Sequence, residues 1–364
     1  MFTILFNLIH GVDQMNLIHL PFGNLKAKFP IIQGGMGVGI SLHQLAGHVA
    51  KNGGIGIISA AQVGYREPDF LTNTLAANLR SLKDELLKAK AIAPQGIIGV
   101  NIMVALKHYG EYAKKAVEAG ADLIISGAGL PLDLPLFTKG SATKIAPIVS
   151  SGKAASVICR MWDRKHQVAP DCIVVEGPLS GGHLGFSHET IAENPDVLDI
   201  MKEVKEVVKD YENKYEKTIP VIVAGGFYTG EDVRLALERG ADGVQMGTRF
   251  VTTYECDAAS AYKEAYIKAE KEDIQIIKSP VGMPGRAILN DYIKNTPGNK
   301  ACFYHCIEKC GVTTIPYCIS KVLIAAAKGD IEHALLFCGS NAYKATHLET
   351  VADIFDEIKG AVEK

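Results

Sequence analysis

Eight short apolar runs, each followed by a turn and a helix-patterned stretch, predict an α/β chain folded as a (β/α)8 barrel of the TIM type. Two further observations support that class. The runs are continuous in β-branched residues rather than alternating, as strands buried on both faces require. A helix–Gly–Ala–Asp–strand phrase also recurs, in EYAKKAVEAGAD and GEDVRLALERGAD, so the same corner is built twice. A doubly wound open sheet is the structural alternative.

The strands follow in order. FPIIQ ends at Gln33, GGIGIIS at Ser59, QGIIGVN at Asn101, ADLIIS at Ser126 and KIAPIVS at Ser150. DCIVVE closes at Glu176, IPVIVAGG at Gly226 and ADGVQMG at Gly247. Between them, SLHQLAGHVAKNGG and the two repeated phrases each reach glycine just past the last helical turn. Two stretches exceed what a barrel needs. Residues 187–218 add a charged helix, PDVLDIMKEVKEVVKDYENKYEK, before the seventh strand. Residues 255–345 follow the eighth and are expected to be a mostly helical segment over the barrel mouth. The expected organisation is an extension at 1–14, a barrel at 15–254, the lid segment at 255–345 and a C-terminal helix at 346–364.

Composition narrows the function classes. With 364 residues, 48% hydrophobic and 21% charged, the chain can bury a substantial core. A net charge of −2 and the lack of a Lys/Arg cluster argue against nucleic acid or a membrane surface as partner. The opening MFTILFNLIHGVDQ has no basic n-region and no cleavage site, so the domain is expected to begin near Met15 and the location to be cytoplasmic.

Four of the eight cysteines, Cys302, Cys306, Cys310 and Cys318, cluster in ACFYHCIEKCGVTTIPYCIS. Their spacing fits no zinc template built on a CxxC knuckle. Steps of four would stack the first three on one helix face, where free cysteine packs as a small apolar residue. No metal is expected; iron quantitation would test a cluster.

In a barrel, the C-terminal ends of the strands converge on one ligand. The seventh strand ends in Ala224-Gly225-Gly226 and the eighth in Gln245-Met246-Gly247-Thr248. Glycines let backbone N–H groups approach an anion, and these two loops are the usual phosphate site of the fold. The bland alternative is that they serve tight turns. No GxGxxG occurs, so a Rossmann dinucleotide site is unsupported. The first loop, Gln33-Gly34-Gly35-Met36, can lay backbone along a flat ring, while Asn101 and Gln245 offer amides to its edges. A flat ring plus phosphate suggests FMN.

EGPLSGGHLG places His183 behind Gly181 and Gly182, after Glu176 at the end of the sixth strand. An imidazole with an ordinary pKa of about 6.5 can serve as base or hydrogen-bond donor near neutral pH. It can equally just bond a loop carbonyl. Glu176 can contact the flavin or support that loop. Lys153 can reach the phosphate or ring and Arg286 an anionic substrate group, with a solvated lysine and a surface ion pair as their defaults, and His43, His48 and His166 lie in helix-like segments where packing or solvent is expected.

PIIQGGMG, GVNIMV, SGAGLP, EGPLSGGHLG, PVIVAGG and GVQMGTRF occur in the order seen in the nitronate monooxygenase family, formerly 2-nitropropane dioxygenases. The resemblance spans roughly residues 20–290, and that family includes flavin-dependent enoyl-acyl-carrier-protein reductases. It implies an FMN-containing barrel with the phosphate held by the last two strand loops. The family's GGH histidine, which faces flavin and substrate, falls on His183. Ser180 stands where such members often carry alanine, and SGAGLP is closer to the reductase branch. The activity implied is oxidation of alkyl nitronates by oxygen to a carbonyl compound and nitrite. The alternative is an FMN-dependent NAD(P)H reductase acting on an enoyl thioester or quinone. A non-redox phosphate-binding barrel is a third possibility from another class. The partners expected are a small-molecule substrate and oxygen, with a homodimer as candidate assembly.

Overall fold

The eight apolar runs form eight parallel strands that close on themselves. The computed structural model describes residues 20–295, 304, 306–308, 310 and 317–364, so the expected 1–14 extension and Cys302 lie outside the described residues. The chain enters through a hairpin, β1 (Leu20–Phe22) and β2 (Leu25–Ala27). Strands β3 (Ile31–Gln33), β4 (Ile55–Ser59), β5 (Ile97–Met103), β6 (Leu123–Gly127), β7 (Lys144–Val149) and β8 (Ile173–Glu176) follow. After a two-residue β9 (Gly182–His183), β10 (Val221–Ala224) and β11 (Gly243–Met246) complete the ring. Its order is β10-β11-β3-β4-β5-β6-β7-β8, closed by β8 pairing with β10.

The continuous apolar runs have two destinations. Side chains such as Ile32, Ile57, Ile97, Leu123, Ile125, Val174 and Ile222 fill the barrel interior, where Leu20 and Ala27 of the hairpin join them and plug the lower end. The alternate residues, among them Ile31, Ile98, Ile124, Val175, Val223 and Val244, face the surrounding helices. Each such aliphatic side chain, buried from water, contributes roughly 1.5–3 kcal/mol.

The helices between successive strands are α1 (His43–Lys51), α2 (Thr74–Ile92), α3 (Tyr109–Glu118), α4 (Leu134–Thr138) and α5 (Gly152–His166). A short α6 (His188–Glu193) and the long α7 (Val197–Tyr215) lead into β10, and α8 (Gly230–Glu238) leads into β11. Contrary to the sequence reading, α7 is no addition. It packs on α5, β8 and β10 through Leu198, Met201, Val204 and Val208, which makes it the regular helix of the sixth unit. Its dense charge belongs only to its solvent face. The extra structure in that unit is the loop carrying β9 and α6.

After β11 and a four-residue α9 (Thr248–Val251) the chain leaves the ring. It builds α10 (Ser260–Lys268), β12 (Ile274–Lys278), β13 (Pro284–Ile288), α11 (Asp291–Asn295), α12 (Ile319–Lys328) and β14 (Leu336–Phe337). Helix is present as expected, but β12, β13 and β14 add an antiparallel sheet, which β9 joins by pairing with β13. Ile274-Gln275-Ile276 alternates in a way that suits a half-buried strand. The steps of four among the cysteines build no helix at Cys306, whose neighbour Ile307 instead bridges to Leu106. Among the described residues, no group of three or more His, Cys, Asp or Glu could hold a metal ion.

The chain then returns as α13 (Val351–Val362), which packs against α8 and α1 and completes the ring of helices. Arg249 fastens this return. Its guanidinium donates to both carboxylate oxygens of Glu349, each at 2.9 Å, and also pairs with Glu357. No helix among the described residues is long and apolar enough to cross a membrane.

Candidate active site

A cavity of about 780 Å³ lies between the C-terminal ends of the strands and the cap built by the described residues between 255 and 345. That is ample for a small-molecule or cofactor site, for which roughly 300–1,000 Å³ is typical. The structure brings Gly34, Gly35, Met36, Asn101, Glu176, Gly181, Gly182, His183, Gly225, Gly226, Gln245, Met246, Gly247 and Thr248 to its walls. Gln33 is not among them. Its buried side chain turns between strands, where Oε1 accepts the Ile57 N–H at 3.0 Å. The reason is local: β3 and β4 share only the Ile32–Ile55 pairing, and the Gln33 amide supplies a ladder bond the backbone lacks.

The floor is tight. A Cβ on Gly35 would sit 2.3 Å from Cβ of Asn101, so only glycine lets the first loop pass over that strand end. On the far side, Gly225 and Gly226 have φ of +99° and +92°, the left-handed region that side chains avoid. A Cβ on Gly225 would fall 2.4 Å from Oγ of Ser180. Cap residues complete this corner. Asn341 Nδ2 donates to the Gly226 carbonyl at 2.7 Å, and Thr248 Oγ1 accepts the Gly339 N–H at 3.0 Å. Oε1 of Gln245 and Oγ of Ser340, both buried on the cavity wall, have no protein partner. A buried polar atom left unpaired is costly, so these mark where a polar ligand belongs.

His183 belongs to β9, held by the cap. Gly182 and His183 pair with Arg286 and Gly285 of β13. Its ring lies edge-to-face with Phe337 at 4.8 Å between centroids, and Nε2 meets Ser279 Oγ at 2.7 Å. Burial pushes the imidazole pKa down to about 4, so it is neutral near pH 7 rather than poised at its ordinary value. Glu176 moves the other way. Burial raises its carboxyl to about 7, against a lowering pull from the Ser180 hydroxyl. A neutral imidazole and a carboxyl that keeps its proton to about neutrality leave this side of the cavity nearly uncharged.

Arg286 has neither of the roles considered from sequence. It is buried, and its Nη1 donates to the carbonyls of Pro178 at 2.9 Å and of Ser180. The guanidinium thus grips the loop that links Glu176 to His183, and burial draws its own pKa down. Lys153 is exposed and does not reach the cavity. Of the other histidines, His43 pairs with Glu85, His48 bonds the Gln44 carbonyl and His166 contacts the Leu132 carbonyl.

Ser279, Phe337, Ser340 and Asn341 escaped the sequence reading. The prolines and glycines of SPVGMPGRAI mark an ordered loop and so point near Ser279 and Arg286. The Cys-Gly-Ser-Asn turn at 338–341 is a weaker cue of the same kind.

A family model described as Nitronate monooxygenase matches residues 21–360. A probable nitronate monooxygenase of Staphylococcus saprophyticus is 27% identical over 368 residues, covering 94% of this chain and 97% of its own. A protein of the same description from Staphylococcus aureus (strain Newman) is 28% identical over 305 residues, covering 74% of this chain and 78% of its own. FabK from Thermotoga maritima superposes with a TM-score of 0.70 at 26% identity, covering 92% of each chain. A nitroalkane oxidase from Streptomyces ansochromogenes superposes at 0.68 with 19% identity, covering 92% of this chain and 95% of its own, which is a likeness of fold.

Proposed function

This chain belongs to the nitronate monooxygenase family, and from that membership we propose that it is an FMN-dependent oxidoreductase converting alkyl nitronates and oxygen to carbonyl compounds and nitrite. The overall conversion balances as two nitronates and one O2 giving two carbonyls and two nitrites. The observation that carries the proposal is the convergence on one cavity of a left-handed diglycine, unpaired Gln245 Oε1 and Ser340 Oγ, and a half-buried, neutral His183.

These residues suit FMN. Gly225, Gly226, Gly247 and Thr248 would hold its phosphate; Gly34, Gly35, Met36, Asn101 and Gln245 would hold its ring system. When bound, FMN supplies the redox chemistry that side chains lack. The protein supplies position and a low-dielectric setting. Ser279 engages Nε2 of His183, which leaves Nδ1 as the ring nitrogen available to a ligand. A neutral imidazole gives the nitronate one hydrogen bond, and the anion's approach favours a proton on the ring. Protonated Glu176 adds no repulsion to an anionic substrate, and the cap excludes water from the assembled site.

A second reading, an FMN-dependent NAD(P)H reductase acting on an enoyl thioester or quinone, is favoured by the likeness to FabK over nearly the whole chain and by the SGAGLP segment. One anaerobic experiment separates them. Bleaching of the bound flavin by ethylnitronate but not by NADH or NADPH supports the monooxygenase; rapid bleaching by a nicotinamide supports the reductase. A purified protein that takes up no FMN would end both.

A further inference from the structure

The loop proposed to lie along the flavin ring is not held by the barrel alone. Helix α1 begins just past it, and the start of a helix leaves four N–H groups without intrahelical partners. Here they belong to Leu42, His43, Gln44 and Leu45. Leu42, at the N-cap position, has no side-chain acceptor to offer. Three of these donors go instead to one carboxylate far along the chain. Asp257 Oδ2 accepts from Leu42 at 2.8 Å and from Leu45 at 3.1 Å, and Oδ1 accepts from Gln44 at 3.2 Å. Glu85 Oε2 takes the fourth, from His43, at 2.9 Å.

Asp257 also holds the chain on the other side of Ser41. Its backbone N–H donates to the Ile40 carbonyl at 3.2 Å, so its contacts at 40 and 42 bracket Ser41. Ser41 in turn closes the ring loop. Its Oγ accepts the Met36 N–H at 2.8 Å, and its own N–H donates to the Met36 carbonyl at 3.0 Å. A path of hydrogen bonds and one covalent step thus runs from Asp257 through Ser41 to Met36, which lines the cavity. Asp257 is itself well supported, between α9 and α10. Buried Lys263 of α10 donates to the carbonyls of Thr253 at 2.8 Å and Tyr254 at 3.2 Å, and Arg66 donates to the Asp257 carbonyl at 3.2 Å.

We infer that Asp257 is a positioning residue of the cofactor site: a carboxylate of the cap that fixes the 36–41 turn, so that the cap sets how well the ring loop receives the flavin. The inference rests on the FMN reading and adds to it a coupling between cap and barrel. Charge suits the carboxylate to this task as well as geometry does, because a negative group at a helix N-terminus meets the positive end of the helix dipole. Asp257 is not among the residues that line the cavity, so its effect on FMN passes through Ser41 and Met36.

Equilibrium dialysis of FMN against the full chain, below the melting temperature of every variant, tests this. Asp257→Ala should weaken FMN about tenfold, the size of a lost helix cap passed on to the ligand. Asp257→Asn keeps one carbonyl acceptor and should weaken it less. Asp196→Ala is the control. Asp196 caps α7 by accepting the Leu198 N–H at 2.9 Å, and it does not line the cavity. Its loss should lower the melting temperature and leave FMN affinity within about twofold. Affinity within about twofold of wild type in Asp257→Ala, or an equal loss in Asp196→Ala, overturns the inference. If the alanine variant does not fold, Asp257→Asn decides: a loss beyond the control's upholds the inference, and a loss no greater overturns it. Hydrogen exchange on the flavin-free protein separates this from the cofactor reading. The Asp257 variants should speed exchange of the Met36 and Ser41 amides. If wild-type protein takes up no FMN while that acceleration is seen, the FMN reading fails and the tie from cap to loop stands; unchanged exchange at both amides ends the tie itself.

Discussion

The lower and upper halves of this barrel are made by the same strands and differ in almost every physical respect. At the lower end the inward positions are Ile32, Ile97, Leu123, Val174 and Ile222, sealed by Leu20 and Ala27 of the hairpin. Within one or two inward steps β5 and β8 present Asn101 and Glu176 to an open cavity, and β11 adds Gln245. The lower half satisfies itself: it is hydrocarbon packed on hydrocarbon, with nothing left to bind. The upper half carries unpaired polar atoms, left-handed glycines and two shifted titratable groups, features that cost stability. The strand is thus divided along its length into a part that holds the fold and a part that uses it.

The largest expected effect lies in the upper half. His183→Ala should retain bound flavin, seen in the absorbance spectrum, and lose about 10²–10⁴ in kcat with ethylnitronate. Wild-type turnover would remove His183 from the chemistry. Next, Gly225→Val places a branched side chain in left-handed backbone and against Ser180, together worth about 3 kcal/mol, so FMN affinity by equilibrium dialysis should fall about a hundredfold. In the lower half, Leu123→Ala should cost about 2–5 kcal/mol in denaturant unfolding yet leave flavin affinity within about twofold. A large loss of affinity there would erase the division between the halves.

The smallest effect is in pH dependence. Native Glu176 keeps its proton up to about pH 7, whereas an unfolded glutamate releases it near 4.5. The native state therefore binds more protons in that window, and this group's contribution to stability is present below pH 4.5 and lost as pH rises through 7. Ionisation also puts negative charge beside an anionic substrate. Wild-type kcat/KM should fall as pH passes about 7, and Glu176→Gln should flatten that limb; a persisting inflection would assign it elsewhere.

The same division explains what could be foreseen from the residues. Strand ends such as Gly225-Gly226 and Gln245-Met246-Gly247-Thr248 were legible because a barrel gathers all its strand ends at one place, so chain position predicts spatial position. Gln33 shows the limit of that rule. A three-residue strand with a single pairing to β4 turns its last side chain to the ladder, and no periodicity announces it. Helix α7 reads as an addition in the sequence because its exposed charge outweighs a buried face of the ordinary spacing. Ser279 and Asn341, and the grip of Arg286 on the loop before His183, stayed hidden for another reason. They reach the site across about a hundred residues of chain, through β13 pairing with β9 and a turn docking on Gly226, and such contacts leave no local signature.

The late return of α13 has a consequence for how the molecule is assembled. A chain leaving the ribosome completes all eight strands well before residue 351 emerges, and until then α1 and α8 flank an open seam. Trimming residues 351–364 would therefore not free a tidy barrel from its cap. It would leave the staves without their last hoop, with Arg249 deprived of one of its two carboxylate partners and an oily groove facing solvent.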